Sequence, residues 1–200
     1  IDTGKGPCVE ALLSLHALAQ EIRKERIANG AVEFEAQEVK FVLDESGKPV
    51  SVYRKEILDT NKLIEEFMLL ANKHVAQLIA TKDTRAESVF VYRVHDAPNE
   101  DRIRDLREFL SGIGFTLELD KDQQVSSQSI NRMLREVRGH AEEAMIQMAT
   151  VRAMTKAIYA TKNIGHFGLG FEYYTHFTSP IRRYPDLLVH RAIKAVLDGE

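Results

Sequence analysis

The chain has 200 residues, 44% of them hydrophobic and 28% charged, with 11 Gly and 5 Pro. That is long enough for a packed domain and too apolar for wholesale disorder, and no run approaches the roughly 18 apolar residues of a membrane span. The net charge of −3 hides an asymmetry: residues 151–197 hold seven Lys or Arg against two Asp or Glu, so this end carries +5 and the rest of the chain −8. A basic end on an acidic body suits an anionic partner, and equally a solvated charged face. Cys8 is the only cysteine. An internal disulfide framework is excluded, a cysteine-based zinc site is argued against, and a reducing, cytoplasmic setting is expected. The start, Ile1-Asp2-Thr3-Gly4, has no initiator Met and no apolar signal region, and reads as a cut inside a longer chain.

The first predicted element is a helix over 7–29, with Val9, Leu12, Leu13, Leu15, Leu18, Ala19, Ile22 and Ile27 at helical spacing and Gly30 placed to end it. Residues 31–34 and 38–43 then lead into Asp44-Glu45-Ser46-Gly47, a turn signal, and 50–57 alternates as the return strand of a hairpin. A helix over 61–81 follows, capped by Asp59 or Thr60. Its expected core face is Ile64, Phe67, Met68, Ala71, Val75, Leu78 and Ile79. Residues 89–94 form a strand candidate, and Pro98 opens a helix that runs to Leu110. A short strand is possible over 115–119. Residues 124–129 read as a capping loop for a helix from Ile130 to about Val137, and another helix is expected over 142–159. Residues 161–179 are rich in Gly and aromatics and lack a period. The last helix spans 185–198, with Pro185 at its first position. Helices and the hairpin do not alternate regularly, so the fold class is α+β, helix-rich with a small sheet.

The stretch His166 to Arg191, HFGLGFEYYTHFTSPIRRYPDLLVHR, carries the chemistry. Gly168 and Gly170 permit close backbone approach. Tyr173, Tyr174 and Phe177 supply flat faces, and Thr178 and Ser179 supply hydroxyls before Pro180. Arg182 and Arg183 precede a helix N-terminus. Guanidinium forks, hydroxyls and free helix N–H groups together suit a phosphate, and interleaved rings suit stacked bases. The competing reading is a buried aromatic corner whose arginines pair with Glu172 and Asp186.

These residues resemble the signature of the ribonuclease II/ribonuclease R family, whose catalytic domain is called RNB. His166-Phe167-Gly168-Leu169, Tyr174-Thr175-His176-Phe177-Thr178-Ser179-Pro180-Ile181-Arg182-Arg183-Tyr184, Asp186 and His190 fit its pattern without a gap. Gly30 to Glu35 with Glu38, Leu63 to Met68 with Ala71-Asn72, and Arg93 to Asp96 with Pro98 are similar too, so the resemblance spans residues 1–200. The form is closer to bacterial ribonuclease R than to the eukaryotic exosome nuclease.

The resemblance implies a hydrolytic 3′-to-5′ exoribonuclease that degrades single-stranded RNA to nucleoside 5′-monophosphates, with Mg2+ at the scissile phosphate. It makes Arg182 the catalytic arginine that stabilises the transition state. It makes Phe34 a ring that stacks on 3′-terminal bases, and Glu66, with Glu65 as its neighbour, a holder of the terminal nucleotide. Tyr174, His176, Thr178, Ser179, Arg183, His190 and Arg191 become candidate RNA contacts. Each has a plainer alternative: hairpin core for Phe34, helix-start charge for Glu65 and Glu66, packing for His176 and His190, and a pair with Asp186 for Arg183. The family's clustered magnesium-binding aspartates find no match here, and Asp101, Asp105, Asp120 and Asp122 lack the grouping. Residues 1–200 are therefore expected to be the middle to C-terminal part of one RNB domain, with the aspartate-bearing part, cold-shock-like domains and OB domain outside it. Taken alone, such a piece is expected to be inactive and open to self-association. The alternative function is a non-catalytic RNB-like RNA-binding module.

Overall fold

A computed structural model describes residues 6–34, 38–82 and 89–199. In chain order these form α1 (Val9–Ala28), β1 (Glu38–Leu43), β2 (Pro49–Lys55), α2 (Asp59–Lys82), β3 (Tyr92–Val94), α3 (Glu100–Gly112), α4 (Ser127–Glu136), α5 (Glu143–Ala153), β4 (Ile158–Ala160), a short 3-10 turn (Phe167–Leu169) and α6 (Tyr184–Asp198). The class is α+β, with two separate antiparallel pairs, β1 with β2 and β3 with β4. Among the described residues no helix is long and apolar enough to cross a membrane.

Two apolar cores organise the chain. The larger joins α3, α4 and α5 through Leu110, Ile130, Met133, Val137 and Ile146. The smaller joins α2 to α6 through Ala76, Ile79, Phe90 and Val189. Residues 166–183 run between them. Phe167 packs on the first core, and Tyr173 and Phe177 pack on the second. Local signals set most boundaries. Asn99 accepts from Asp101 N at 2.9 Å to cap α3, and Ser126 accepts from Ser129 N at 3.1 Å to cap α4. In the hairpin turn, Asp44 Oδ1 accepts from Ser46 N and Lys48 N at 2.8 and 2.9 Å.

Three expectations need correction. The helix expected over 142–159 stops at Ala153, because residues 158–160 pair with β3 instead: Tyr92 with Ala160, Arg93 with Tyr159, Val94 with Ile158. Residues 115–119 form no strand; Leu117 is buried in the first core as irregular backbone. The core face of α2 is rotated from the apolar stripe. Leu63, Glu66, Asn72, Ala76 and Ile79 are buried, while Ile64 is 58% exposed. Glu66 and Asn72 share the buried face with Leu63, Ala76 and Ile79 because each has a hydrogen-bonding partner there. Of the apolar residues spaced along α1 only Ala19 is buried, and Leu12, Leu13, Leu15 and Leu18 are exposed.

Candidate nucleic-acid interface

The close approach of two glycines starts the site. Gly30 follows α1 at φ +104°, and Gly170 ends the 3-10 turn at φ +65°. A Cβ on Gly170 would lie 2.8 Å from Ala31 N and 2.9 Å from Gly30 C, so only glycine lets the two backbones meet there. Val32 N donates to Gly168 O at 2.9 Å. Across from it, the buried Asn131 of α4 donates to Ala31 O and accepts from Glu33 N, at 2.7 and 3.1 Å. The segment bearing Phe34 is thereby fixed between α4 and the glycine turn. Phe34 itself is half-buried against the first core.

A row of rings supports the next stretch. His95 lies 5.0 Å from His166, His166 5.2 Å from Tyr174, and Tyr174 5.8 Å from His176, ring centre to ring centre. His95 Nδ1 accepts from Gly168 N at 2.9 Å, and His166 Nδ1 from Leu169 N at 3.3 Å, which only unprotonated nitrogens can do. Burial, with its neighbour His95 second, pushes His166 down to about 3. His176 is pushed down to about 4, mainly by burial and then by the cations Arg183 and Arg93. Both imidazoles are neutral at neutral pH. His176 Nδ1 is 2.7 Å from the Tyr159 hydroxyl, and the Arg93 guanidinium sits 4.7 Å over the Tyr159 ring centre.

The arginine loop follows. Asn72 of α2 is buried under it. Its Oδ1 accepts from Phe177 N at 2.9 Å and from Thr178 N at 3.2 Å, and its Nδ2 donates to the Tyr174 hydroxyl at 3.2 Å. Asp186, fully buried in the first turn of α6, accepts on Oδ1 from Ser179 N at 2.8 Å and from Arg183 Nη2 at 2.7 Å. Arg182 N and Arg183 N close the turn on Ser179 O at 3.3 and 3.1 Å. Ile181 and Arg182 then stand out into solvent. The Arg182 side chain makes no hydrogen bond or ion pair with a described residue, and its charge reaches His176. At the base of the loop Thr178 Oγ1, Arg183 Nε and Asp186 Oδ2 are buried without a hydrogen-bond partner among the described residues.

The predicted contacts thus divide. Arg182 and Arg191 are exposed, and Phe34, His176, Thr178, Ser179, Arg183 and His190 are half-buried. His190 stacks on Phe177 at 4.2 Å, and its Nε2 lies 3.0 Å from Phe177 O. Tyr174 is 5% exposed, and its hydroxyl accepts from Asn72 Nδ2 at 3.2 Å. Glu66 is 1% exposed, and Arg26 holds it with two bonds, at 3.0 and 2.5 Å. It borders a separate cleft of about 210 Å³ between α1 and α2, lined also by His16, Arg23, Asp59 and Lys62. Glu65 is exposed on α2. Asn72, Asn131 and His95 were not singled out as site residues. Their signal, a polar residue on an otherwise core-facing stretch, shows only once the core face is known.

The mixed α+β scaffold presents Arg182, exposed and unpaired among the described residues, just before α6 and near further cations and ring edges, a donor set whose chemistry suits an anion. The particular family follows from comparison: the family profile described as RNB domain matches residues 3–199, and the chain belongs to that family. It is 40% identical over 194 residues to Ribonuclease R of Vibrio parahaemolyticus, covering 97% of this chain and 22% of that protein. In three dimensions it is similar to Mycoplasma genitalium RNase R in complex with ribose methylated single-stranded RNA, with TM-score 0.88 and 27% identity over 97% of this chain and 30% of that one. It shares its fold alone with yeast Ssd1, a pseudonuclease, at TM-score 0.68 and 20% identity, covering 98% of this chain and 24% of that one. The chain thus spans about a quarter of the length of such relatives.

Proposed function

We propose that residues 1–200 are the middle to C-terminal part of the catalytic domain of a hydrolytic 3′-to-5′ exoribonuclease, which degrades single-stranded RNA to nucleoside 5′-monophosphates in the cytoplasm. The observation that carries this reading is Arg182, a side chain with no described hydrogen-bond or ion-pair partner on a loop whose backbone is held at both legs from below. In the reaction water attacks the phosphorus of the last linkage. The bond to the preceding 3′ oxygen breaks, that oxygen leaves with a proton, and a nucleoside 5′-monophosphate is freed. Charge builds on the non-bridging oxygens, and the planar fork of Arg182 stabilises it. Neutral His176 adds a ring nitrogen beside that charge without repelling a nearby cation, and Arg183 and Arg191 add phosphate contacts. Phe34 offers a ring edge for terminal bases. Glu66, paired with Arg26 at the α1–α2 cleft and with Glu65 at the surface beside it, helps hold the terminal nucleotide.

Mg2+ supplies Lewis-acid chemistry in such hydrolysis. Among the described residues no three His, Cys, Asp or Glu side chains converge to hold a metal ion; since the sequence lacks the clustered aspartates that the resemblance implies, the ligands are proposed to lie in a part of the domain beyond residues 1–200. The second reading is a non-catalytic RNB-like RNA-binding module; the fold shared with a pseudonuclease does not separate the two.

The test compares the 200-residue chain with its full-length parent on poly(A) in Mg2+. The parent releases mononucleotides, the chain alone releases none, and Arg182→Ala in the parent lowers kcat about 10²–10³-fold while RNA is still bound. A parent that binds RNA with salt-sensitive affinity and never cuts it would establish the second reading instead.

A further inference from the structure

We propose that Asn72 is a positioning residue for Arg182: its buried amide, on a different element 110 positions earlier in the chain, sets the height and direction of the loop from which the guanidinium projects. This rests on the functional reading of Arg182 given above. The geometry is specific. One carboxamide oxygen takes two consecutive backbone N–H groups, Phe177 at 2.9 Å and Thr178 at 3.2 Å, while the amide nitrogen donates to Tyr174 Oη at 3.2 Å. An acceptor with two lone pairs and a donor on the same short planar group is what an asparagine supplies. Asp186 grips the next N–H, that of Ser179, so three successive amides of the loop are spoken for by buried side chains from two helices.

Arg182 has no side-chain anchor among the described residues, so its reach is set by that backbone. Asn72 is 2% exposed on the core face of α2, and its three hydrogen bonds all go to residues 174–178 of the loop. A misplacement of about 1 Å in a catalytic group costs on the order of 10²-fold. Loss of Asn72 Oδ1 therefore lowers turnover and leaves RNA capture, which many groups share, nearly intact.

The experiment is a double-mutant cycle in the full-length parent, read as kcat and KM on single-stranded RNA, with thermal melting as the check on folding. Asn72→Ala is expected to lower kcat about 10–100-fold with KM within about threefold, and to lower it no further once Arg182→Ala is present. Tyr174→Phe, which spares the Oδ1 bonds, is expected to lose less than Asn72→Ala. Asn72→Ser, which cannot span both amides, is expected to behave as a milder Asn72→Ala and serves where the alanine variant does not fold. If Arg182→Ala leaves kcat unchanged, the functional reading falls. If Arg182→Ala cuts kcat but the Asn72 variants multiply with it, or lower kcat and raise KM together in step with lost melting temperature, the positioning role alone is overturned.

Discussion

Two segments of this chain are held in opposite ways. The loop over residues 174–186 is tied down by buried polar groups: Asn72, Thr175 and Asp186 are each at most 2% exposed, and between them they bond six backbone or side-chain partners. The hairpin of β1 and β2 keeps its register, Phe41 opposite Val52 and Val39 opposite Arg54, yet every described β2 residue is exposed, and Phe41 and Val52 are 61% and 60% exposed. The first segment derives its shape from tertiary hydrogen bonds that only form in the folded interior. The second derives its shape from the Asp44 turn and ladder pairing, with an apolar face left uncovered. A loop built the first way holds an exposed side chain still. A ribbon built the second way adds little stability and leaves apolar area for association.

The largest effect should come from cutting the loop's buried tie. Asp186→Ala leaves Ser179 N and the Arg183 guanidinium without their shared partner, and is expected to cost about 3–5 kcal/mol in urea unfolding. A loss below about 1 kcal/mol would show that the loop does not depend on this buried pair, and the contrast with the hairpin would collapse. Next is Gly170→Ala. It places an alanine at φ +65° and a methyl 2.8 Å from Ala31 N, so the expected loss is about 2–4 kcal/mol by the same measurement.

The third test uses acid. The pKa of His166 is about 3 in the fold against an ordinary value near 6.5, so between those values the unfolded chain binds a proton that the folded chain refuses. Its contribution is complete above about pH 6.5 and is lost as pH falls towards 3. Wild-type melting temperature is therefore expected to fall more steeply across that window than that of His166→Phe, and equal slopes would remove His166 from the buried support of the loop. The smallest effect belongs to the hairpin. Phe41→Lys is expected to change unfolding free energy by about 0.5 kcal/mol or less, while sedimentation velocity shows less self-association of the isolated chain.

Much of this was legible in the residues themselves. The helices α1, α3 and α6, the hairpin and its Asp44 turn, and the glycine and arginine motifs all rest on interactions within a few positions of each other, which spacing and capping chemistry reveal. The arginine at the head of α6 was visible for the same reason. The local pattern misled where a distant partner outweighed it. Residues 158–160 left helix for strand because β3 offered unpaired backbone, and α2 turned its apolar Ile64 outward because Glu66 had Arg26 to meet and Asn72 had the loop to hold. Tyr174 read as an open ring because its sequence context is aromatic, and it is buried because a hydroxyl partner waits beneath it. Sequence by itself determined most of the elements and the residue types of the arginine loop. Only the tertiary structure decided which polar groups are buried, since desolvating an amide or carboxylate is tolerated only where partners from elsewhere in the chain converge on it.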